Sequence, residues 1–421
     1  MKKLCYLCTA VILFACSKKI DKQVSLPTSQ KRITEKVSCD FGITSFNTTK
    51  RAPSYGEGGE TSRRKKPTNG NGGTTDGGGS TGGTTDGGTT DGGSSDGGIT
   101  PPVATNGGVI FLDFDGTLVS GTFWNSSGDF YCAPANMTET EIALVTQRVT
   151  NDYSPFNVIV TTDESVYNTA NPYARERVVI TESWEWYGRQ VGGVSYIGTF
   201  NSGSTTPSFV FSSLLSYSSK SVAEAVSHEA GHSFGLYHQA LYDANCVKIS
   251  DYNYGQGTGE IAWAPIMGSA YAKNLSLWHN GPTSAGCSSW QDDVSIIGSM
   301  VGFKADDYSN SFSGAAQLTG SLEGVISNSY DVDFFSVDGT TTRTVSVVPD
   351  NVGLYNAGAN TDLVLNVYSS LGILIATIEN PTVLDASITL SPGSYYVSVG
   401  TTANPFVATY GMLGKYSISV N

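Results

Sequence analysis

The stretch His228-Glu229-Ala230-Gly231-His232-Ser233-Phe234-Gly235-Leu236-Tyr237-His238 limits what this chain can fold into more than any other part of it. On an α-helix, His228 and His232 lie one turn apart on a single face. Their imidazoles can then meet one tetrahedral metal ion, with the Glu229 carboxylate beside them to take a proton from metal-bound water. Gly235 permits a sharp exit from the helix, because glycine tolerates positive φ, and that turn can return His238 as a third ligand. A fourth position is left for water, as a catalytic zinc site requires. The chain has only four histidines, and three of them are here. Three imidazoles and an open position favour zinc over other divalent metals. The plainer reading, a helix carrying packed or solvated histidines, leaves Gly235 and His238 without a reason.

The flanking residues support the helix. Ser221 and Glu224 read as an S-x-x-E capping box, which starts the helix just after Ser221. Val222, Ala225, Val226 and Ala230 follow at helical spacing as an apolar back face. Glu224 also has a reading as a partner of one of the histidines.

With Gly235 and His238 included, the run resembles the metzincin zinc peptidases, whose pattern continues into a downstream methionine turn. Ala264-Pro265-Ile266-Met267-Gly268 is similar to that turn, with Met267 as the apolar floor beneath the metal. Some metzincins carry a tyrosine two residues after this methionine. Ser269 stands there in this chain, and the nearest tyrosine is Tyr271. The phrases Leu112-Asp113-Phe114-Asp115-Gly116, Trp124-Asn125, Asp152-Tyr153-Ser154-Pro155-Phe156-Asn157-Val158 and Trp263-Ala264-Pro265-Ile266-Met267-Gly268 also resemble a group of secreted bacterial metzincin-like proteins. The resemblance spans nearly all of residues 108–303. It implies an α+β catalytic domain, a twisted mixed sheet plus the active-site helix, and a zinc endopeptidase in which Glu229 assists attack of zinc-bound water. It also implies that the run from Gly193, Val194, Ser195 and Tyr196 edges the substrate cleft and pairs with extended substrate backbone. Tyr271 is a further candidate for that cleft.

Within this domain the order reads strand, helix, strand, strand, helix. Thr138 and Glu141 cap a helix whose buried face carries Ile142, Val145, Val149 and Tyr153. Asn157 to Thr161, Arg177 to Thr181 and Gly193 to Phe200 read as strands. A competing signal lies in Asp113-Phe114-Asp115-Gly116-Thr117, which resembles the first motif of haloacid dehalogenase-type phosphatases, with Asp292-Asp293 as the downstream acidic pair. That fold needs a helix after the aspartate loop, whereas Thr117 to Trp124 reads as the return strand of a hairpin. The fourth histidine, His279, follows the methionine turn and reads either as a pocket or oxyanion group or as a structural residue.

Residues 1–16 have a short basic start, then an apolar run from Leu4 to Ala15 too short to span a bilayer. Leu13-Phe14-Ala15-Cys16 resembles a bacterial lipoprotein signal, with Cys16 lipidated and anchoring the protein in the cell envelope, on its periplasmic or surface face. Phe14 is bulky for its position, so ordinary secretion, with release outside the cell, and a plain membrane anchor stay open. Residues 17–107 read as an unstructured segment and a Gly/Thr/Asp/Ser-rich linker with repeated Thr-Thr-Asp-Gly-Gly units, a composition that cannot bury a core. Its Arg63-Arg64-Lys65-Lys66 cluster reads as solvated charge or a protease-sensitive spot. Cys39, Cys132, Cys246 and Cys287 remain after the signal, and three pairings are open. A Cys246–Cys287 bond would brace the methionine turn. Cys39 has two readings, a surface thiol or a pro-segment block on the zinc of the kind some metzincins use.

From residue 304 to 421 the texture alternates apolar and polar residues at strand period, as in Asp331 to Val337, Leu363 to Tyr368, Ser394 to Val399 and Tyr416 to Val420. This is an all-β sandwich, and it resembles the bacterial pre-peptidase C-terminal domain, which accompanies secreted peptidases. Asp306, Asp307, Asp331 and Asp333 are candidate calcium ligands or solvated turn carboxylates. A net charge of −13 argues against a nucleic-acid partner. The expected partners are a protein or peptide substrate and, through Cys16, a membrane, for a monomeric enzyme. A zinc-stabilised surface protein that binds glycoprotein with little turnover is the alternative.

Overall fold

The computed structural model describes residues 107–352 and 358–421, together with the backbone of Lys36–Ser38. The signal, Cys16, Cys39 and the linker lie outside the described residues. A six-stranded mixed sheet organises the first half of the chain. Its strands are β1 (Lys36–Ser38), β2 (Gly108–Asp113), β5 (Val158–Thr161), β6 (Arg175–Thr181), β7 (Gly193–Tyr196) and β8 (Ser208–Phe211), in the order β1-β7-β8-β6-β2-β5. β2 is parallel to β5 and β6, and β6 to β8, whereas β7 runs antiparallel to β8 and to β1.

The centre of this sheet is covered on both faces, so β2, β8 and the second half of β6 are continuously buried runs rather than alternating ones. Ile110 and Leu112 of β2, Val178 and Ile180 of β6 and Val210 of β8 pack under two helices, α1 (Glu139–Asp152) and α3 (Ser219–Ser233). Val179, Phe209 and Phe211 point the other way, into a layer built by Trp124, Trp186 and the hairpin of β3 (Thr117–Val119) and β4 (Phe130–Cys132). Val109 and Phe111 meet the short α2 (Glu164–Thr169) through Tyr167. α1 starts as expected: Thr138 and Glu141 form a reciprocal capping box, and Val145, Val149 and Tyr153 are buried.

Three readings of the sequence need correction. α3 begins at Ser219, with Ser218 as its N-cap accepting from the Ser221 amide, so Ser221 and Glu224 are not a capping box. Glu224 pairs with Arg148 instead. Thr117–Val119 returns against Phe130–Cys132 and not against β2, because a turn and a single 3-10 turn at Asn125–Ser127 intervene. The run beginning at Gly193 ends as a strand at Tyr196, and β8, the short run Ser208–Phe211, sits between β7 and β6. α2 and β8 add to the expected element order, as both are too short for periodicity to mark.

After α3 the chain forms a lower region of paired short strands. These are β9 (Leu241–Tyr242) with β10 (Lys248–Ser250), β11 (Trp263–Pro265) with β12 (Leu275–Leu277), and β13 (Asn280–Thr283) with β14 (Gly286–Asp292). A disulfide joins Cys246 to Cys287, and Cys132 is a buried free thiol whose pKa burial and the nearby Asp113 push up to about 12. α4 (Asp293–Val301) follows, capped by Asp292.

The rest is a two-sheet β-sandwich. One sheet has the order β15-β17-β22-β19-β20 and the other β16-β23-β18-β21. The strands are β15 (Ala316–Gln317), β16 (Ser321–Ile326), β17 (Asp333–Gly339), β18 (Arg343–Pro349), β19 (Leu363–Ser369), β20 (Leu374–Ile378), β21 (Ala386–Leu390), β22 (Gly393–Thr401) and β23 (Gly414–Val420). Phe335, Val345, Val367, Val397 and Ile418 fill the space between the sheets. The two halves of the molecule share a core as well: Ile261, Trp263, Leu275 and Leu277 pack with Ala359, Leu384 and Met412. The sandwich therefore buries apolar surface of the first half directly.

Candidate metal centre

α3 places His228, Glu229 and His232 where the spacing predicts, and all three are buried. The helix then ends in a Schellman turn. The Gly235 amide donates to the His232 carbonyl at 2.8 Å and the Leu236 amide to the Gly231 carbonyl at 3.2 Å, with Gly235 at φ 92°. This is the left-handed position that glycine occupies without steric cost. The turn does two further things. It sends the chain back so that His238 meets the other imidazoles, and it aims the Leu236 carbonyl at Nδ1 of His232, 2.6 Å away.

The ligand atoms of His228, His232 and His238 all lie within 4.8 Å of one another. Nδ1 of His228 donates to the Ile266 carbonyl at 2.7 Å, within the Ala264–Gly268 turn. A ring whose Nδ1–H is committed to a carbonyl presents an unprotonated Nε2, the form that binds metal. Burial pushes the His228 pKa down to about 4, and burial together with neighbouring imidazoles holds His232 and His238 well below the ordinary range. Three neutral, convergent imidazoles in a buried setting fit a zinc ion.

Beneath the helix lies Met267, fully buried, with its sulfur against Gly231. The Met267 carbonyl accepts from the Gln239 amide at 2.8 Å, which ties the turn to the residue after His238. Above, β7 runs so close to Glu229 that a Cβ on Gly193 would come within 2.7 Å of its Cγ and Oε1. The absence of a side chain at 193 is what lets the strand backbone and the carboxylate share this space. Val194 and Ser195 are buried, Ser195 bonding Ser208, and Tyr196 donates to the Phe123 carbonyl. β7 thus meets Glu229 through its backbone, with its side chains turned to other contacts. Its outer edge carries β1 in antiparallel register, Val37 opposite Ser195 and Ser38 opposite Val194.

Tyr271 and His228 line one small cavity of about 10 Å³ with Glu224, Ile266 and Ser269, room for no more than a water. His279 lines a different cavity, of about 280 Å³, with Asn280, Trp290, Val407, Ala408 and Tyr410, which touches none of the three metal-centre imidazoles. The Asp113 carboxylate pairs with Arg177, Asp115 is exposed, and a hairpin follows instead of a helix. Asp293 is buried and accepts from the His279 amide, and Asp292 caps α4. Asp113 and Asp293 are thus each held by structural partners, and the helix that a phosphatase needs after the aspartate loop is replaced by a hairpin.

Two features have no signature in the sequence. Tyr252 lies with its ring 4.5 Å from that of His238 and 6.3 Å from that of His228. It comes from a turn-rich stretch with no periodicity to mark it. The second is a buried polar network around Arg148 and Asp152 of α1 and Glu224 of α3, joined by Ser276 of β12. Burial acts to raise Glu224, but Arg148 and Lys220 overcome it and hold the carboxylate down at about 2. Loss of Arg148 would strand that charge, at about 3–5 kcal/mol.

In the sandwich, Asp306, Asp331 and Asp333 come together with carboxylate oxygens within 4.8 Å. Asp307 is not part of this cluster, as its carboxylate accepts from the Val325 amide.

Residues 138–239 match the model of the metallo-peptidase family M12B, reprolysin-like. That match spans α1, the sheet strands β5 to β8 and the whole of the imidazole cluster. This segment is a metallopeptidase domain. Solved structures offer only partial likenesses to this chain. The pre-peptidase C-terminal domain of a collagenase from Bacillus anthracis is 18% identical, over 25% of this chain and 92% of that one, with a TM-score of 0.18. PliG of Aeromonas hydrophila, a periplasmic inhibitor of g-type lysozyme, is 13% identical over 25% of this chain and 96% of that one, at 0.18. CorA of Methylomicrobium album BG8, a surface-associated copper-binding protein, is 10% identical over 25% and 98%, at 0.17. No curated protein matches the chain.

Proposed function

We propose that the chain is a zinc-dependent endopeptidase of metzincin-like fold. One observation carries this: three neutral imidazoles converge within 4.8 Å on the helix that carries Glu229, and the backbone of β7 runs against the Glu229 carboxylate. His228, His232 and His238 would hold the zinc. Bound there, zinc supplies Lewis acidity, polarising a carbonyl oxygen and making a water easier to deprotonate. Glu229 takes that proton and returns it to the departing amine nitrogen. β7 holds the substrate backbone by strand addition, and the ladder it forms with Lys36–Ser38 supports its capacity to do so. Met267 keeps the floor of the site dry and rigid.

The test is a pair of measurements on the full chain. Zinc analysis should find about one ion per molecule. Glu229→Gln should keep that ion and lose hydrolysis of casein or a quenched peptide library by roughly a thousandfold or more. Full hydrolysis by Glu229→Gln would sink the mechanism. Zinc at full occupancy with no cleavage of any protein would favour the binding-protein reading instead.

The proposal extends to location. The Cys246–Cys287 disulfide suits an oxidising, extracytoplasmic compartment. With the signal-like start it supports export and lipidation at Cys16. Labelling with a radioactive fatty acid should disappear in Cys16→Ala, and persistent labelling would exclude that anchor. For Asp306, Asp331 and Asp333 the all-oxygen donor set suits calcium, and a rise in thermal stability with added calcium, lost in Asp331→Asn, would reveal it.

A further inference from the structure

The turn of α3 just before His228 is gripped from two sides. Ser227 donates to the Asp152 carboxylate, and Glu224 accepts from Arg148, from Lys220 at 3.0 Å and from the Ser276 hydroxyl at 2.7 Å. These two arms meet on one residue of the β-sandwich. The amide nitrogen of Asn360 donates to Oδ1 of Asp152 at 2.8 Å and to the Ser276 carbonyl at 2.7 Å. A carboxamide nitrogen has two protons, so Asn360 spends one on each arm. All these groups except Lys220 are nine-tenths or more buried. Each bond is therefore made in a setting where a missing partner is costly.

The backbone around Asn360 is built to deliver it. The Ser276 amide donates to the Ala359 carbonyl at 3.1 Å, and the Gly358 amide donates to Asn274 at 2.9 Å. A side chain at 358 would collide with Arg148, and one at Gly414 would come within 2.8 Å of the Asn360 Cβ. Two glycines thus clear the path by which this loop reaches the helix.

We infer that the β-sandwich is an integral part of the metal centre, with Asn360 as a positioning residue that sets the turn of α3 carrying His228. The inference rests on reading α3 as the metal-bearing helix. It makes the sandwich a rear support of the site, whose loss would release the metal-bearing helix, and not only an appended binding module.

The test uses full-length protein, with zinc Kd measured by competition against a chromophoric chelator and amide hydrogen exchange followed across Ser219–Ser233. Asn360→Leu keeps the bulk and removes both donors. Its zinc Kd should rise about tenfold, the low end for residues that support metal ligands, and α3 amides should exchange faster. Met412→Ala thins the apolar layer shared by the two halves without touching either arm, and should leave the zinc Kd within about twofold. Unchanged zinc affinity and exchange in Asn360→Leu overturn the inference. So does an equal loss in Met412→Ala, which would mark general destabilisation. Should Asn360→Leu not fold, Asn360→Ser carries the same comparison. If neither folds, wild-type exchange decides: residues 358–362 must open together with α3, and free exchange of that loop beside a protected helix overturns the inference. Hydrolysis retained by Glu229→Gln would sink the peptidase reading and leave these binding results standing, because neither readout needs turnover.

Discussion

The sulfur of Met267 occupies the space a side chain on Gly231 would take, since a Cβ there would lie 2.5 Å from Sδ. Gly231 is in the interior of α3, where alanine would gain about 1 kcal/mol of helix propensity. Met267 is fully buried and has little room to withdraw, and overpacking of this kind costs about 1–3 kcal/mol. The steric cost wins. Gly231→Ala should lower the free energy of unfolding by up to about 2 kcal/mol net, read from denaturant titration. A variant as stable as the parent would show that Met267 yields freely and is not a fixed floor.

Gly193→Ala acts on Glu229, the proposed base, instead of on Met267. The new methyl would press on Glu229 from 2.7 Å and on the Phe209 carbonyl from 2.8 Å. Backbone on one side leaves Glu229 as the group that moves. Displacement of a reacting group by about 1 Å can cost about a hundredfold, so kcat/KM for a peptide substrate should fall by about 10–100-fold. Zinc content should stay at the parent level. Unaltered kinetics would mean that the Glu229 position seen here is not the working one.

The Cys246–Cys287 bridge closes a loop of 41 residues that contains the Ala264–Gly268 turn. Loop-closure entropy for that length is worth about 4 kcal/mol at 25 °C. Replacing both cysteines with serine should cost up to about that much and loosen zinc, because the turn carries the Ile266 carbonyl that holds His228. Isotherms of unfolding and zinc competition on the double variant provide the check. A stability change under about 0.5 kcal/mol would show that the turn needs no brace.

Glu176 gives the pH dependence. Its carboxyl is buried, takes hydrogen bonds from Ser208 and Thr199, and burial pushes its pKa up to about 8. A carboxyl raised in the folded state holds a proton that the unfolded chain has released. Its contribution is therefore complete below the unfolded value and is lost as pH climbs toward 8. Glu176→Gln stays neutral throughout. Relative to the parent it should gain stability steadily between about pH 5 and pH 8 and level off above. Parallel stability curves across that window would refute the shift.

Much of this site is legible along the chain because its parts are local. His228, Glu229 and His232 share a helix turn, and Gly235 supplies the one backbone conformation that ends α3 and returns His238. The capping box of Thr138 and Glu141 is equally local and forms as written. Glu224 shows where such reading fails. Three residues after Ser221 it has the spacing of a cap, yet the helix starts earlier and Glu224 faces Arg148 of α1, a partner no local pattern announces. Short strands such as Ser208–Phe211 escape for a related reason, as four buried residues carry no alternation to read.

By itself the sequence determined the histidine-bearing face of α3, the turn that follows it, and the change from mixed α and β to all-β texture near residue 304. Helical spacing, glycine's access to positive φ and strand alternation act over a few residues and need no distant contact. Only the tertiary structure decided that Met267 sits under Gly231, that β7 presses on Glu229, and that Asn360 joins the network beside His228. Those contacts depend on how separate elements pack, and burial sets their strength: a hydrogen bond or a close approach inside the core admits little adjustment and leaves no trace in local spacing.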